Sequence, residues 1–226
     1  MDWVWNNLPA IWGYTLDHIG LCEPPIVIGF VVSIPLGYWA SKSRLAKSIL
    51  LTVFSIIYTL PSIVLFVVVP IALGLPILDS RNVIYALTLY AIAIMMRSST
   101  DAFDAVPADV RESARAVGFS GWQRFFAVEF PLAGPVLLAG VRIVSVSTVS
   151  LATVGVFIGV PSLGNLFNDA FGRQFPLEAA TGIVAVLLLA LIFDIILTTI
   201  ARILLPWNRR PTRRALRRQQ ALAVAA

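Results

Sequence analysis

Histidine and cysteine occur once each in the 226 residues, as His18 and Cys22. One cysteine excludes an internal disulfide and a cysteine-built metal site, and one histidine without partners cannot organise a zinc centre. The same scarcity leaves no nucleophile–base arrangement of the kind a hydrolase needs, so an enzyme is not expected. No GxxxxGK[ST] segment is present to cradle a nucleotide phosphate, and no cofactor is implied. Charge is scarce too: Asp, Glu, Lys and Arg make up 13% of the residues, against 58% in the hydrophobic set. A soluble domain of this size would need more charge to cover its core, so the composition points to an integral membrane protein. Residues 1–17 lack a basic n-region and a small-residue cleavage signal, so no cleaved signal peptide is expected and attachment falls to the chain's own spans.

What the chain has instead is long apolar runs. A bilayer core about 30 Å thick takes roughly 20 helical residues at about 1.5 Å each. Five stretches qualify or come close: 19–40, weakened at one end by Glu23, Pro24 and Pro25; 49–73, with Pro61 inside; 83–96, only 14 residues before Arg97 unless it extends through Ser98 and Ser99; 132–158, interrupted by Arg142; and 179–201, around Asp194. Pro35, Pro61 and Pro70 can each kink a helix, as a pathway would require, yet proline is also common in spans that only pack.

The formal net charge is +5, from 17 Lys+Arg and 12 Asp+Glu. Seven arginines fall between Arg202 and Arg218, beside or beyond the last apolar run, so the excess reads as an orientation signal and not as a nucleic-acid surface. The link after the first run holds Lys42, Arg44 and Lys47 and no acid. If that link and the tail are both cytoplasmic, four spans between them satisfy the parity. The expected fold is all-α and integral to the membrane, with about five transmembrane helices, the N-terminus outside and the C-terminus cytoplasmic. Residues 1–18 form an external or interfacial segment, for which Trp3, Trp5 and Trp12 suit an interfacial helix. Residues 19–205 form the transmembrane unit, and residues 206–226 form a basic cytoplasmic tail. His18 and Glu23 are read as polar groups near the outer surface.

The polar block 97–129 carries Arg97, Arg111, Arg115 and Arg124 against Asp101, Asp104, Asp109, Glu112 and Glu129. Pro107 suits the first turn of a helix, Asp109 favours that turn electrostatically, and Gly118 suits its end. Val106, Val110, Ala114 and Val117 give that helix one narrow apolar stripe. Ser120 with Gln123 three residues on is a capping box, predicting a second helix over 121–128 that ends before Pro131. Two readings of the first helix stay open: a surface for docking a soluble partner, or an amphipathic linker resting on the protein's own helices.

Glu112-Ser113-Ala114, then Gly118, nine residues, and Val128-Glu129-Phe130-Pro131 resemble the EAA loop of ABC importer permeases, EAA-x3-G-x9-I-x-L-P. The spacing is kept; Ser113 replaces an Ala, Val128 the Ile and Phe130 the Leu. Residues 130–142, FPLAGPVLLAGVR, resemble the osmoprotectant subgroup, whose relatives import glycine betaine, choline, carnitine or proline betaine. Ser33-Ile34-Pro35-Leu36-Gly37 and Tyr58-Thr59-Leu60-Pro61-Ser62 resemble that subgroup's first two spans. One stretch departs: Gly159-Val160-Pro161-Ser162-Leu163-Gly164 stands where relatives tend to have GAGGLG, and Pro161 is expected to stiffen this turn.

The resemblance implies a permease subunit of an ATP-driven importer in a bacterial or archaeal cell (inner) membrane. Its implied partners are cytoplasmic ATP-binding subunits, a second permease subunit of the same or a homologous sequence, an external or lipid-anchored substrate-binding protein, and membrane lipid. The helix with Glu112, Ser113 and Ala114 would insert into a groove of the ATPase subunit. Gly118 would permit the turn after it, and Pro131, with Val128 and Phe130, would set the re-entry into span four. Another small solute such as an amino acid is the alternative cargo. A secondary transporter is less well matched, because no second copy of the five-span pattern is present. Arg142 and Asp194 lie in apolar runs, where an ion must face protein or water. A structural pair, separate polar interfaces and a substrate role all stay open. Aromatic faces would recognise a quaternary ammonium, but the aromatics of the spans serve packing equally well, and the substrate-binding residues stay unknown.

Overall fold

The computed structural model describes residues 2–76 and 79–208; the arginines expected in the tail from Arg209 onward lie outside them. The described residues are all-helical, without strands. The elements are α1 (Asp2–Ser41), α2 (Arg44–Thr59), α3 (Ser62–Leu73), α4 (Ser80–Asp104), α5 (Ala108–Ala116), α6 (Gly121–Arg124), α7 (Phe130–Ala152), α8 (Gly164–Arg173) and α9 (Pro176–Leu204). A π-helical turn, Phe125–Glu129, joins α6 to α7, and a 3₁₀ turn, Thr153–Ile158, closes α7. Four helical stretches are long and apolar enough to cross a membrane: α1, α4, Gly121–Ile158 and α9. The bent pair α2–α3 brings the number to as many as five.

No break separates residues 1–18 from the first apolar run, because Asp2–Ser41 is one helix. Its 40 residues extend roughly 60 Å, about twice the thickness of a hydrocarbon core. Pro24 and Pro25 remove two donors without ending it. His18, expected near the membrane surface, is enclosed by protein, with its Nε2 3.0 Å from the Val149 carbonyl on α7. Trp3 packs edge-on against Phe175, while Trp5 and Trp12 stay exposed.

The run 49–73 is divided into two helices, α2 and α3, bent by 109° at Pro61. Proline drives its predecessor out of the α region, so Leu60 is extended (φ −69°, ψ 141°) and Pro61 itself caps α3. The hydroxyl of Tyr90, on α4, donates to the Leu60 carbonyl freed by the break. Three contacts follow the pair along α4. Lys47 meets Asp104 at 2.6 Å at one end, Tyr90 meets Leu60 midway, and Asn82 donates to the Pro76 carbonyl at 2.6 Å at the other end. Leu45, Ile49, Val53 and Ile56 leave an exposed apolar stripe at helical spacing on α2.

The run 83–96 was short for a span, and α4 exceeds it by continuing through the polar residues to Asp104. Its two faces differ: Ser99, Thr100, Ala102 and Phe103 are buried, while Arg97 and Asp101 point outward. The core lies where α4 packs between α1 and α7. Small residues set the approach of α1 to α4: a Cβ at Gly29 would come within 2.6 Å of the Ala91 Cβ, and one at Gly37 within 2.6 Å of the Ser99 Cβ. In a bilayer, where lipid is as apolar as leucine, such close backbone packing supplies much of helix association. By contrast, α9 fully buries only Glu178, Gly182, Leu189 and Ala201, with Ala185, Val186, Ala190, Phe193 and Leu197 packed partly against the core. Its exposed side, with Ile183, Val184, Leu187 and Leu191, is free for lipid or another chain.

Candidate functional site

The polar loop folds through local rules. Pro107 caps α5 and Gly118 ends it with φ +92°. The Phe119 N–H donates to the Ala114 carbonyl and the Gly118 N–H to that of Arg115, the paired bonds of a Schellman ending. An added Cβ at Gly118 would meet no neighbour, so glycine is needed for the backbone angle and not for space. Ser120 starts α6 with a complete capping box: the Gln123 N–H donates to the Ser120 hydroxyl and the Ser120 N–H to the Gln123 side chain.

The second loop helix does not stop before Pro131. A proline in an α-helix removes one donor and presses its ring on the carbonyl four residues back. Here the helix widens, the Phe130 N–H bonding the Phe125 carbonyl five residues earlier, and Pro131 enters within the first two positions of α7. Loop and span thus form one helical rod, Gly121–Ile158.

Of the residues singled out in the loop, Glu112 and Ser113 are exposed, Ala114 is buried, and Val128, Phe130 and Pro131 are half-buried. The apolar stripe of α5 divides: Val106 and Ala114 pack inward, whereas Val117 is 78% exposed. In α6, Trp122, stacked on Phe126 at 5.8 Å, is also open. The loop therefore rests in part on the protein's own helices and leaves Glu112, Val117 and Trp122 exposed.

Glu129, one of five acids in the polar block and given no role by the motif, is the electrostatic centre of the loop. Its side chain is wholly enclosed. Lys42 Nζ lies 2.7 Å from Oε2, Arg124 Nε 2.8 Å from Oε1, and Arg111 Nε 3.9 Å from Oε2. The Tyr38 hydroxyl donates to Oε1 at 3.3 Å. Arg111 also donates to the Phe103 and Val106 carbonyls at 2.8 and 2.7 Å, closing the free end of α4. Tyr38, Phe103, Phe125 and Phe130 pack beneath the charges as a cluster of rings. The signal was available: a lone carboxylate among Phe126, Ala127, Val128 and Phe130 must find cations or cost on the order of several kcal/mol.

The structure brings Arg142 and Asp194 together across α7 and α9, with Nε–Oδ1 at 2.5 Å and Nη2–Oδ2 at 2.8 Å. Arg142 lies twelve residues beyond Phe130 and Asp194 ten before Leu204, roughly 18 and 15 Å along their helices, near mid-span. Their side chains are 44% and 27% exposed, so the chain alone does not enclose them.

Residues 29–210 match the family described as the binding-protein-dependent transport system inner membrane component. The glycine betaine/carnitine/choline transport system permease protein OpuCB of Bacillus subtilis is 28% identical over 194 residues, 85% of this chain and 87% of its own length. The osmoprotectant import permease protein OsmW of Salmonella typhimurium is 26% identical over 206 residues, 89% of this chain and 94% of its own. Among solved structures, the MetNI methionine ABC transporter in an inward-facing conformation matches with TM-score 0.67 at 20% identity, covering 93% of this chain and 99% of that one. An amino acid ABC transporter matches with TM-score 0.70 at 16% identity, covering 87% and 95%. At these identities the two structures share the fold.

The bidentate geometry makes a specific prediction. Arg142→Asp or Asp194→Arg alone is expected to lower the yield of assembled membrane protein by leaving an unpaired ion in an apolar span, and the double reversal to recover it. A double-mutant cycle with no coupling would show that the two side chains act independently.

Proposed function

Because the chain belongs to the binding-protein-dependent transport system inner membrane component family, we propose that it is a permease subunit of an ATP-driven importer of betaine-type quaternary ammonium solutes. The observation that carries this reading is the family match over residues 29–210, whose relatives are named permeases for glycine betaine, carnitine, choline or osmoprotectants. The reading takes no chemistry from the chain itself. ATP is hydrolysed on separate cytoplasmic subunits, a second permease of the same or a homologous sequence completes the pathway, and an external or lipid-anchored binding protein delivers the solute.

In this reading the chain crosses a bacterial or archaeal inner membrane five times, N-terminus outside and C-terminus inside. The α2–α3 pair counts as one broken crossing, supported by its three contacts running from one end of α4 to the other. The open face of the loop, with Glu112 and Ser113, enters the ATPase groove. Ala114 anchors α5 on the permease, Gly118 turns the chain, and Val128, Phe130 and Pro131 carry the motion into α7 along the continuous rod. The exposed, stacked Trp122 and Phe126 support the docking role, since aromatic side chains are enriched at the cores of protein interfaces.

Topology can be read with thiols, because Cys22 is enclosed and serves as a silent background. Asn6→Cys should be labelled by an impermeant reagent on intact cells, and Gln219→Cys only after permeabilisation; the reverse pattern would overturn the orientation.

Gly118→Val should insert normally but lose most ATPase subunit on purification, since a β-branched residue at φ +92° costs about 1–3 kcal/mol. Gly118→Asn, which tolerates that angle, should keep it. Normal ATPase stoichiometry and coupling in the valine variant would remove Gly118 from this role.

The cargo is tested with the complete complex in liposomes. ATP-driven uptake of labelled glycine betaine should fall when choline, carnitine or proline betaine competes and stay level with unrelated amino acids. Inhibition by amino acids alone would point to the alternative cargo, and transport by this chain without an ATPase would overturn the importer reading.

A further inference from the structure

We propose that Glu129 is a positioning residue for coupling: it locks the docking loop to the ends of α1 and α4, so that the loop's motion moves all three. The proposal rests on the permease reading and names a residue within it.

The covalent path reaches only part of the bundle. From α5 the backbone runs back through 105–107 to α4 and forward through Gly118 and α6 into α7. No peptide bond joins the loop to α1, whose end must be held by side chains. Glu129 supplies the holding groups at one point: Tyr38 and Lys42 from the end of α1, Arg124 from α6 and Arg111 from α5. Arg111 then extends the connection to α4 through the Phe103 and Val106 carbonyls. Apolar contacts between helices can slide, but charge-assisted hydrogen bonds at 2.7 and 2.8 Å on a carboxylate with no access to water fix both distance and direction.

Its burial also separates this role from docking. A side chain with no exposed surface cannot touch an ATPase subunit, so whatever Glu129 contributes to coupling acts inside the permease. The cluster is asymmetric as well, one carboxylate facing three cations. Neutralising Glu129 therefore leaves like charges from three elements facing one another and pushes the loop away from α1, whereas neutralising Lys42 only loosens one tie.

The experiment uses the full complex in liposomes, comparing wild type, Glu129→Gln, Lys42→Met and the double variant. Solute uptake per ATP hydrolysed is measured, together with ATPase subunit stoichiometry in the purified complex. In Glu129→Gln the stoichiometry is expected to hold while uptake per ATP falls about tenfold, within the range typical of coupling between sites. Lys42→Met is expected to fall less, and the double variant no further than Glu129→Gln, because both changes open the same tie. Unchanged uptake per ATP in an intact Glu129→Gln complex would overturn the proposal. If that variant fails to assemble, Lys42→Met carries the test, and wild-type coupling there overturns it. Absence of ATP-driven uptake in the wild-type complex itself would instead overturn the permease reading.

Discussion

A carboxylate stripped of water organises one whole end of this protein. Glu129 sits where the chain turns from a polar loop into an apolar span, and the cost of enclosing its charge is met only by drawing in Lys42, Arg111 and Arg124. Each cation comes from a different segment, so satisfying one side chain fixes how α1, α5 and α6 are placed. Arg111 closes the carbonyls at the end of α4 at the same time, and Tyr38 stands over the ring cluster beneath. Electrostatics and aromatic packing thus specify the same arrangement, which is what gives a small surface loop a defined shape.

The rod from Gly121 to Ile158 has a complementary logic. A chain that ended its helix at Pro131 would join the loop to the span through a flexible corner. The π turn takes up the proline without a break, leaving the loop's helix and the span mechanically continuous. Between α5 and α6, Gly118 provides a turn whose shape depends on a backbone angle and on nothing packed against it. A stiff joint into α7, a turn set by one glycine and an ionic tie to α1 together make a loop suited to passing on displacement.

Deeper in the bundle, close contacts at Gly29 and Gly37 join α1 to α4 through backbone proximity. The outer helix α9 is attached more sparingly, and its clearest polar tie is the Arg142–Asp194 pair near mid-span. Two half-exposed ions at that depth are compatible with a membrane only if water or another protein surface covers them. The proposed second permease would provide such a surface.

The sequence alone determined where this protein lives and how its loop starts and stops. Apolar runs, Pro107, the Ser120–Gln123 box and Gly118 act over a few residues, so their effects on α5 and α6 were readable from spacing. Local rules also misled: Pro131 pointed to a helix end, and Arg97 and Asp101 hid the length of α4, whose charged residues stay on its exposed side while Ser99 and Thr100 are buried. The partner of His18 was not legible, because nothing in the sequence reveals the Val149 carbonyl it meets on α7. Tertiary structure alone decided the role of Glu129, since Lys42 lies 87 positions away in the chain. A charge buried at the join of loop and membrane announces that it needs a partner, but which cation answers depends on how the helices pack.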